Sequence, residues 1–92
     1  MSALLHLVGF DPGRTEQTAL LARACNPGDT LVLLDAGTDF ARPEALAGLR
    51  TALPECRILV LGEPPTACDL DSLDYAGLVE LTETHRGPAS WY

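Results

Sequence analysis

Three short apolar runs, each closed within a few residues by glycine, constrain this chain more than any other feature. They are Leu4-Leu5-His6-Leu7-Val8 before Gly9, Thr30-Leu31-Val32-Leu33-Leu34 before Asp35-Ala36-Gly37, and Arg57-Ile58-Leu59-Val60-Leu61 before Gly62. Runs that are continuous rather than alternating in apolar residues mark strands covered on both faces. The segment between the first two opens on Asp11-Pro12-Gly13 and can be capped by Thr15. It carries Leu20, Leu21, Ala24 and Cys25 on one helical stripe before Asn26-Pro27-Gly28-Asp29 ends it. The next begins with Pro43 at a first helical position and Glu44 in the first turn, and sets Leu46, Leu49 and Leu53 on one face until Pro54. Strands alternating with helices of roughly ten to fifteen residues imply right-handed crossovers and a parallel sheet. The expectation is a compact three-layer α/β/α domain with a mostly parallel sheet of four to five strands, residues 1–92 forming a single domain.

The carboxyl-terminal third is less regular. Glu63-Pro64-Pro65-Thr66 must be irregular, and Leu70 to Leu73 fits a brief fourth strand. From Leu73 onward the chain reads as a helix with Asp74 at its start, Leu78, Val79 and Leu81 near helical spacing, and a stop at Gly87-Pro88. A short tail then ends in Trp91 and Tyr92. The lone tryptophan sits where chain ends usually fray, so it either folds back over the chain's own core or docks on another subunit.

Charge and composition remove several function classes. Thirteen carboxylates face six basic residues, every one an arginine, which argues against direct binding to nucleic acid. Without lysine there is no Schiff-base lysine and no phosphate-loop lysine. No apolar run approaches the roughly twenty residues of a membrane span, and the start lacks a basic region before a hydrophobic stretch, so no membrane association is expected and the chain reads as cytoplasmic. The cysteines at 25, 56 and 68 are odd in number and form no Cys-x-x-Cys pair, which speaks for reduced thiols and against a disulfide framework or zinc site.

In open parallel sheets the functional crevice lies beyond the carboxyl ends of the strands, here Gly9 to Gly13, Asp35 to Asp39 and Gly62 to Cys68. None of these carries a Gly-x-Gly-x-x-Gly fingerprint, so no nucleotide or other cofactor is expected. Cys68 and Cys25 are the thiols to consider as sulfur-bearing catalytic residues. Cys68 occupies a loop after a strand but has Glu63, Asp69 and Asp71 around it in sequence, which oppose a thiolate. Cys25 lies on the apolar stripe at the carboxyl end of its helix and reads as a buried structural residue. Cys56, at a helix-to-strand junction, reads as ordinary. His6 in the first strand reads as a hydrogen-bonded core group, and His85 as a cap at the last helix's negative end. With two histidines and no close cysteine or aspartate pairing, no metal is expected. Asp35 and Asp39 flank a glycine turn and read as solvated turn acids.

Leu5-His6, then Pro12 after a short spacer, Gly28-Asp29-Thr30-Leu31-Val32-Leu33-Leu34-Asp35-Ala36-Gly37, and Asp74-Tyr75-Ala76-Gly77-Leu78-Val79-Glu80-Leu81-Thr82 with terminal Trp91 together resemble the TusB/DsrH family of sulfur-relay subunits, within the DsrE/DsrF/DsrH-like superfamily. The resemblance spans nearly the whole chain. It implies a cytoplasmic heterohexamer, a dimer of heterotrimers with TusC/DsrF-like and TusD/DsrE-like subunits, which passes persulfide sulfur between carriers. In the tRNA branch such complexes accept sulfur from a TusA-like carrier and deliver it through a TusE-like carrier for 2-thiolation of the wobble uridine. In the sulfur-oxidation branch they serve dissimilatory sulfite reductase. The principal sulfur-accepting cysteine belongs to the TusD/DsrE-type partner.

Two positions depart from the family. Some DsrH members have a cysteine in the first helix; aligned from the Gly28 turn, that position is Leu21 here and Cys25 is one turn later. Ala36 stands where an aspartate is common. The resemblance therefore implies a noncatalytic subunit, with His6, Pro12, Gly37, Tyr75 and Trp91 in interface or structural roles, and the adjoining terminal aromatic Tyr92 is expected to share such a role. Two alternatives remain: a DsrH-type subunit with a sulfur-carrying cysteine of its own, and a stand-alone small-ligand binder at the strand ends.

Overall fold

The computed structural model describes residues 3–63 and 70–92. The three apolar runs form β1 (Leu4–Val8), β2 (Thr30–Leu33) and β3 (Arg57–Leu61), joined by α1 (Thr15–Ala24) and α2 (Pro43–Ala52). A 3-10 helix at Asp35–Phe40 links β2 to α2, and β4 (Asp71–Leu73), α3 (Tyr75–Thr84) and β5 (Arg86–Trp91) complete the chain. All strand pairs are parallel, in the order β4-β3-β2-β1-β5.

This order explains the layers. The chain steps twice in one direction, from β1 to β2 to β3, so right-handed crossovers put α1 and α2 on the same face. It then returns from β4 to the far edge at β5, and the same handedness puts α3 on the opposite face. The domain is accordingly a three-layer α/β/α sandwich. Strand alternation divides the apolar residues between the two faces. Leu31, Leu33, Ile58 and Val60 join Leu21 of α1 and Leu46 and Leu49 of α2 in one buried cluster. Leu5, Val32 and Leu59 are buried on the other side, under α3.

Among the three α-helices only α3 has a side-chain cap at its start, and two boundaries depart from expectation. Asp74 caps α3, its carboxylate accepting from the Gly77 amide at 2.9 Å. Thr15 does not cap α1: it is the first helical residue and Arg14 occupies the cap position without a side-chain bond. Leu53 follows the last residue of α2 and is buried with Leu46 and Leu49.

The tail is the larger correction. The helix ends at Thr84, ahead of Gly87-Pro88, and Arg86–Trp91 is an edge strand alongside β1 rather than an unstructured tail. Its period is masked because Gly87 and Pro88 lie inside it and its residues face one neighbour only. Trp91 thereby comes to rest beside Val8, folded back over its own domain.

Candidate functional site

Two groups of polar side chains stand out, one beyond the carboxyl ends of the strands and one running across the sheet. At the carboxyl ends of β1 and β2, where the sequence places the crevice, lies an open cleft of about 580 Å³ lined by Asp11, Pro12, Gly13, Asp39, Arg42, Pro43, Glu44 and Ala45. The Asp11 carboxylate is occupied by the Gly13 amide at 2.8 Å, which shapes the turn, and Arg42 reaches Asp39 at 3.5 Å across an exposed pair. Pro12 is thus a wall of the cleft. No thiol or imidazole is among the described residues lining it, so the cleft offers carboxylates and a guanidinium for binding but no nucleophile for sulfur.

Backbone approach beside the cleft depends on two glycines. A Cβ on Gly37 would collide with the Val8 carbonyl oxygen, and one on Gly9 with the ring of Tyr92. Gly37 lets the turn after β2 press against the end of β1, where the Leu34 amide also bonds the Val8 carbonyl at 3.1 Å. Gly9 provides the floor for Tyr92, whose carbonyl accepts from the Gln17 side chain at 3.0 Å.

From the end of β5, across the middle of β1, to the residue before β2 a polar chain runs Trp91, His6, Asp29. The Trp91 indole donates to His6 Nδ1 at 3.0 Å, and His6 Nε2 lies 3.0 Å from Asp29 Oδ2. An indole N–H can only donate, so Nδ1 must accept, which leaves the ring proton on Nε2 to be donated to the carboxylate. Asp29 also accepts from the Leu4 amide on Oδ1 and the Asn26 amide on Oδ2, each at 3.0 Å. His6 is completely buried and Asp29 nearly so. Burial alone would raise the Asp29 carboxyl, but the hydrogen bonds from Asn26, His6 and Leu4 outweigh it and hold it below its ordinary value. Among the described residues no buried side-chain nitrogen or oxygen lacks a partner.

This chain is a brace. It ties β1 to the start of β2 and to the end of β5, and all three members are committed to one another. His85 makes a smaller brace of the same kind: as the residue following α3 its Nδ1 donates to the Leu81 carbonyl at 3.0 Å, while Nε2 sits 2.8 Å from the Thr30 hydroxyl. Sequence reasoning singled out His6 and Trp91 but missed Asp29, which stood in a turn-forming stretch with nothing in its spacing to mark a buried carboxylate.

The thiols are placed as follows. Cys25 and Cys56 are both half-buried and free, at the amino end of the sheet, away from the cleft. Burial, reinforced by the neighbouring Cys56 and by the charge of Asp29, pushes the Cys25 thiol up to about 12. Burial and Asp29 raise Cys56 as well. Cys68 lies outside the described residues. The sequence candidates therefore do not converge: His6 and Trp91 meet in the brace, Gly37 supports the end of β1, Pro12 lines the cleft, and Tyr75 projects from α3 with 75% of its surface exposed. Among the described residues no group of three or more histidine, cysteine or acidic side chains could hold a metal ion, and no helix is long and apolar enough to cross a membrane.

The fold has a counterpart among solved structures. The solution NMR structure of protein Tm0979 from Thermotoga maritima superposes with a TM-score of 0.59 at 20% identity, over 87% of this chain and 91% of that one. No family model matches the sequence, and no curated protein matches it.

Proposed function

We propose that this chain is a noncatalytic, TusB/DsrH-like subunit of a cytoplasmic persulfide-relay complex, assembled with TusC/DsrF-like and TusD/DsrE-like subunits and serving 2-thiolation of the tRNA wobble uridine. The observation that carries the reading is α3. It is the helix on its side of the sheet, yet none of its residues is buried, and Tyr75 and Val79 stand 75% and 55% exposed. Two large apolar side chains exposed one helical turn apart are the kind of surface that a sibling subunit covers. The chain-wide resemblance supplies the identity of the siblings. The Cys25 thiol, raised to about 12, weighs against a sulfur-carrying role for it, because the thiolate is the form that takes up sulfur.

Co-expression with the two partner types tests this. Tyr75→Ser combined with Val79→Ser is expected to abolish co-purification while shifting the stability of the isolated chain by no more than about 0.5 kcal/mol per exposed site. Undiminished complex yield would refute the α3 interface. The small-ligand reading keeps one observation in its favour, the cleft beside Pro12 and Arg42. An Arg42→Ala variant that assembles and supports thiolation normally would remove it.

A further inference from the structure

We propose that Cys25 and Cys56 form a dithiol site that exchanges with low-molecular-weight disulfides and closes into an intramolecular disulfide. The inference does not rest on the relay reading, since neither thiol is given a part in that function.

The geometry is that of two turns held together by hydrogen bonds. Cys25 follows the last residue of α1 with an extended backbone, and Cys56 immediately precedes β3. The turn after Cys25 is fastened to the turn before Cys56 by the Gly28 amide on the Glu55 carbonyl at 3.0 Å and by the Cys56 thiol donating to the Asn26 carbonyl at 3.4 Å. Both cysteines line one cavity of about 180 Å³ together with Ala22, Asn26 and Leu53. Neither is inside a strand, so a bond between them would draw on a helix end and a loop rather than on the sheet. Two thiols brought to one small cavity from sequence positions this far apart are a more specific arrangement than a solitary buried cysteine.

The order of events follows from the environment. The proximity of the two thiols favours the ionised form of Cys56 and disfavours that of Cys25. Cys56 is therefore the attacking sulfur. It releases its proton to solvent, and its thiolate attacks one sulfur of the reagent, forming a mixed disulfide and expelling one thiolate. The Cys25 thiolate then attacks the Cys56 sulfur, forms the internal bond and expels the second. Two protons and two electrons leave the protein, and the reagent's disulfide becomes two thiols. Weakly acidic thiols make the attack slow at neutral pH, but they also make poor leaving groups, so the closed disulfide resists reduction once formed.

The full chain carrying Cys68→Ser, treated with oxidised glutathione in the native state, provides the test. The expected product has lost two hydrogens, gives a peptide in which Cys25 and Cys56 are joined, and forms about tenfold faster for each unit of pH between 7 and 9, as the thiolate fraction requires. Cys25→Ser in the same background is expected to stop at a single glutathionyl group on Cys56, and Cys56→Ser to react at least about tenfold more slowly. A stable glutathionyl group on each cysteine, linkage found only in denaturant, or no reaction of either thiol at pH 9 would overturn the proposal.

Discussion

Replacing Asp29 by asparagine probes the brace in a way that its geometry makes quantitative. The carboxylate accepts one donor on Oδ1, from the Leu4 amide, and two on Oδ2, from Asn26 and His6. A carboxamide has one oxygen and one amino group, so it cannot satisfy both sides. Its favoured orientation turns the oxygen toward Asn26 and His6, keeping the tautomer that Trp91 demands, and sets the amino group against the Leu4 amide. The result is one buried donor facing another, at about 1–3 kcal/mol, together with weakening of the two surviving bonds as the charge disappears, about 1 kcal/mol more. For a domain of this size, about 2–4 kcal/mol lowers the melting temperature by roughly 8–30 °C. Urea denaturation of wild type and Asp29→Asn gives the difference directly, and hydrogen exchange is expected to show protection lost at Leu4 and retained at Asn26. The pH dependence follows with a definite sign. The folded carboxyl lies below its ordinary value of 3.8, so its stabilising contribution is complete above that value and is lost as the pH falls through the lower folded one. The gap between wild type and variant is therefore constant at pH 5–7 and shrinks below pH 3.8. A variant within about 0.5 kcal/mol of wild type at pH 6, or a gap that widens in acid, would refute the brace.

Three further outcomes are expected. Trp91→Phe leaves His6 Nδ1 buried without a donor and costs about 1–3 kcal/mol, and nitrogen chemical shifts of the ring are expected to lose the fixed single tautomer. Gly37→Ala drives a methyl group into the Val8 carbonyl and destabilises by about 1–3 kcal/mol in thermal denaturation, whereas Gly48→Ala, where a Cβ meets nothing within 4 Å, is neutral or stabilising. Iodoacetamide labelling of Cys25 in the folded protein should be slow at pH 7 and accelerate about tenfold per pH unit up to pH 9, given a thiol raised to about 12; labelling with a plateau near pH 8 would contradict that environment.

The fold was legible in the sequence where one physical signal dominated. Each central strand buries both faces, so Thr30 to Leu33 has no polar interruption and can be read without knowing its neighbours. The two helices over the main cluster likewise show their faces in the spacing of Leu46, Leu49 and Leu53. The strand Arg86–Trp91 was not legible, because an edge strand needs no apolar run and its place is fixed by pairing with β1, a contact across more than eighty residues that local propensity does not contain. The polar brace was half legible for the same reason. His6 announces itself as a polar residue in an apolar strand, and Trp91 as a large aromatic at a chain end, but Asp29 belongs by every local rule to a turn. Only the parallel register that sets Leu5 opposite Thr30 brings the residue before Thr30 to the amide of Leu4 and to the His6 ring. The next pairing, which sets Thr30 opposite Arg57, brings the Asn26 and Cys56 turns together, so the buried carboxylate and the thiol pair share one setting: both lie where the starts of adjacent parallel strands converge, at the end of the sheet opposite the cleft. Perturbing Asp29 should therefore be felt at the thiols, because its charge is one of the causes that hold both of them protonated. Asp29→Asn is expected to speed Cys56 exchange at fixed pH in a variant shown to remain folded, and an unchanged rate would separate the two features.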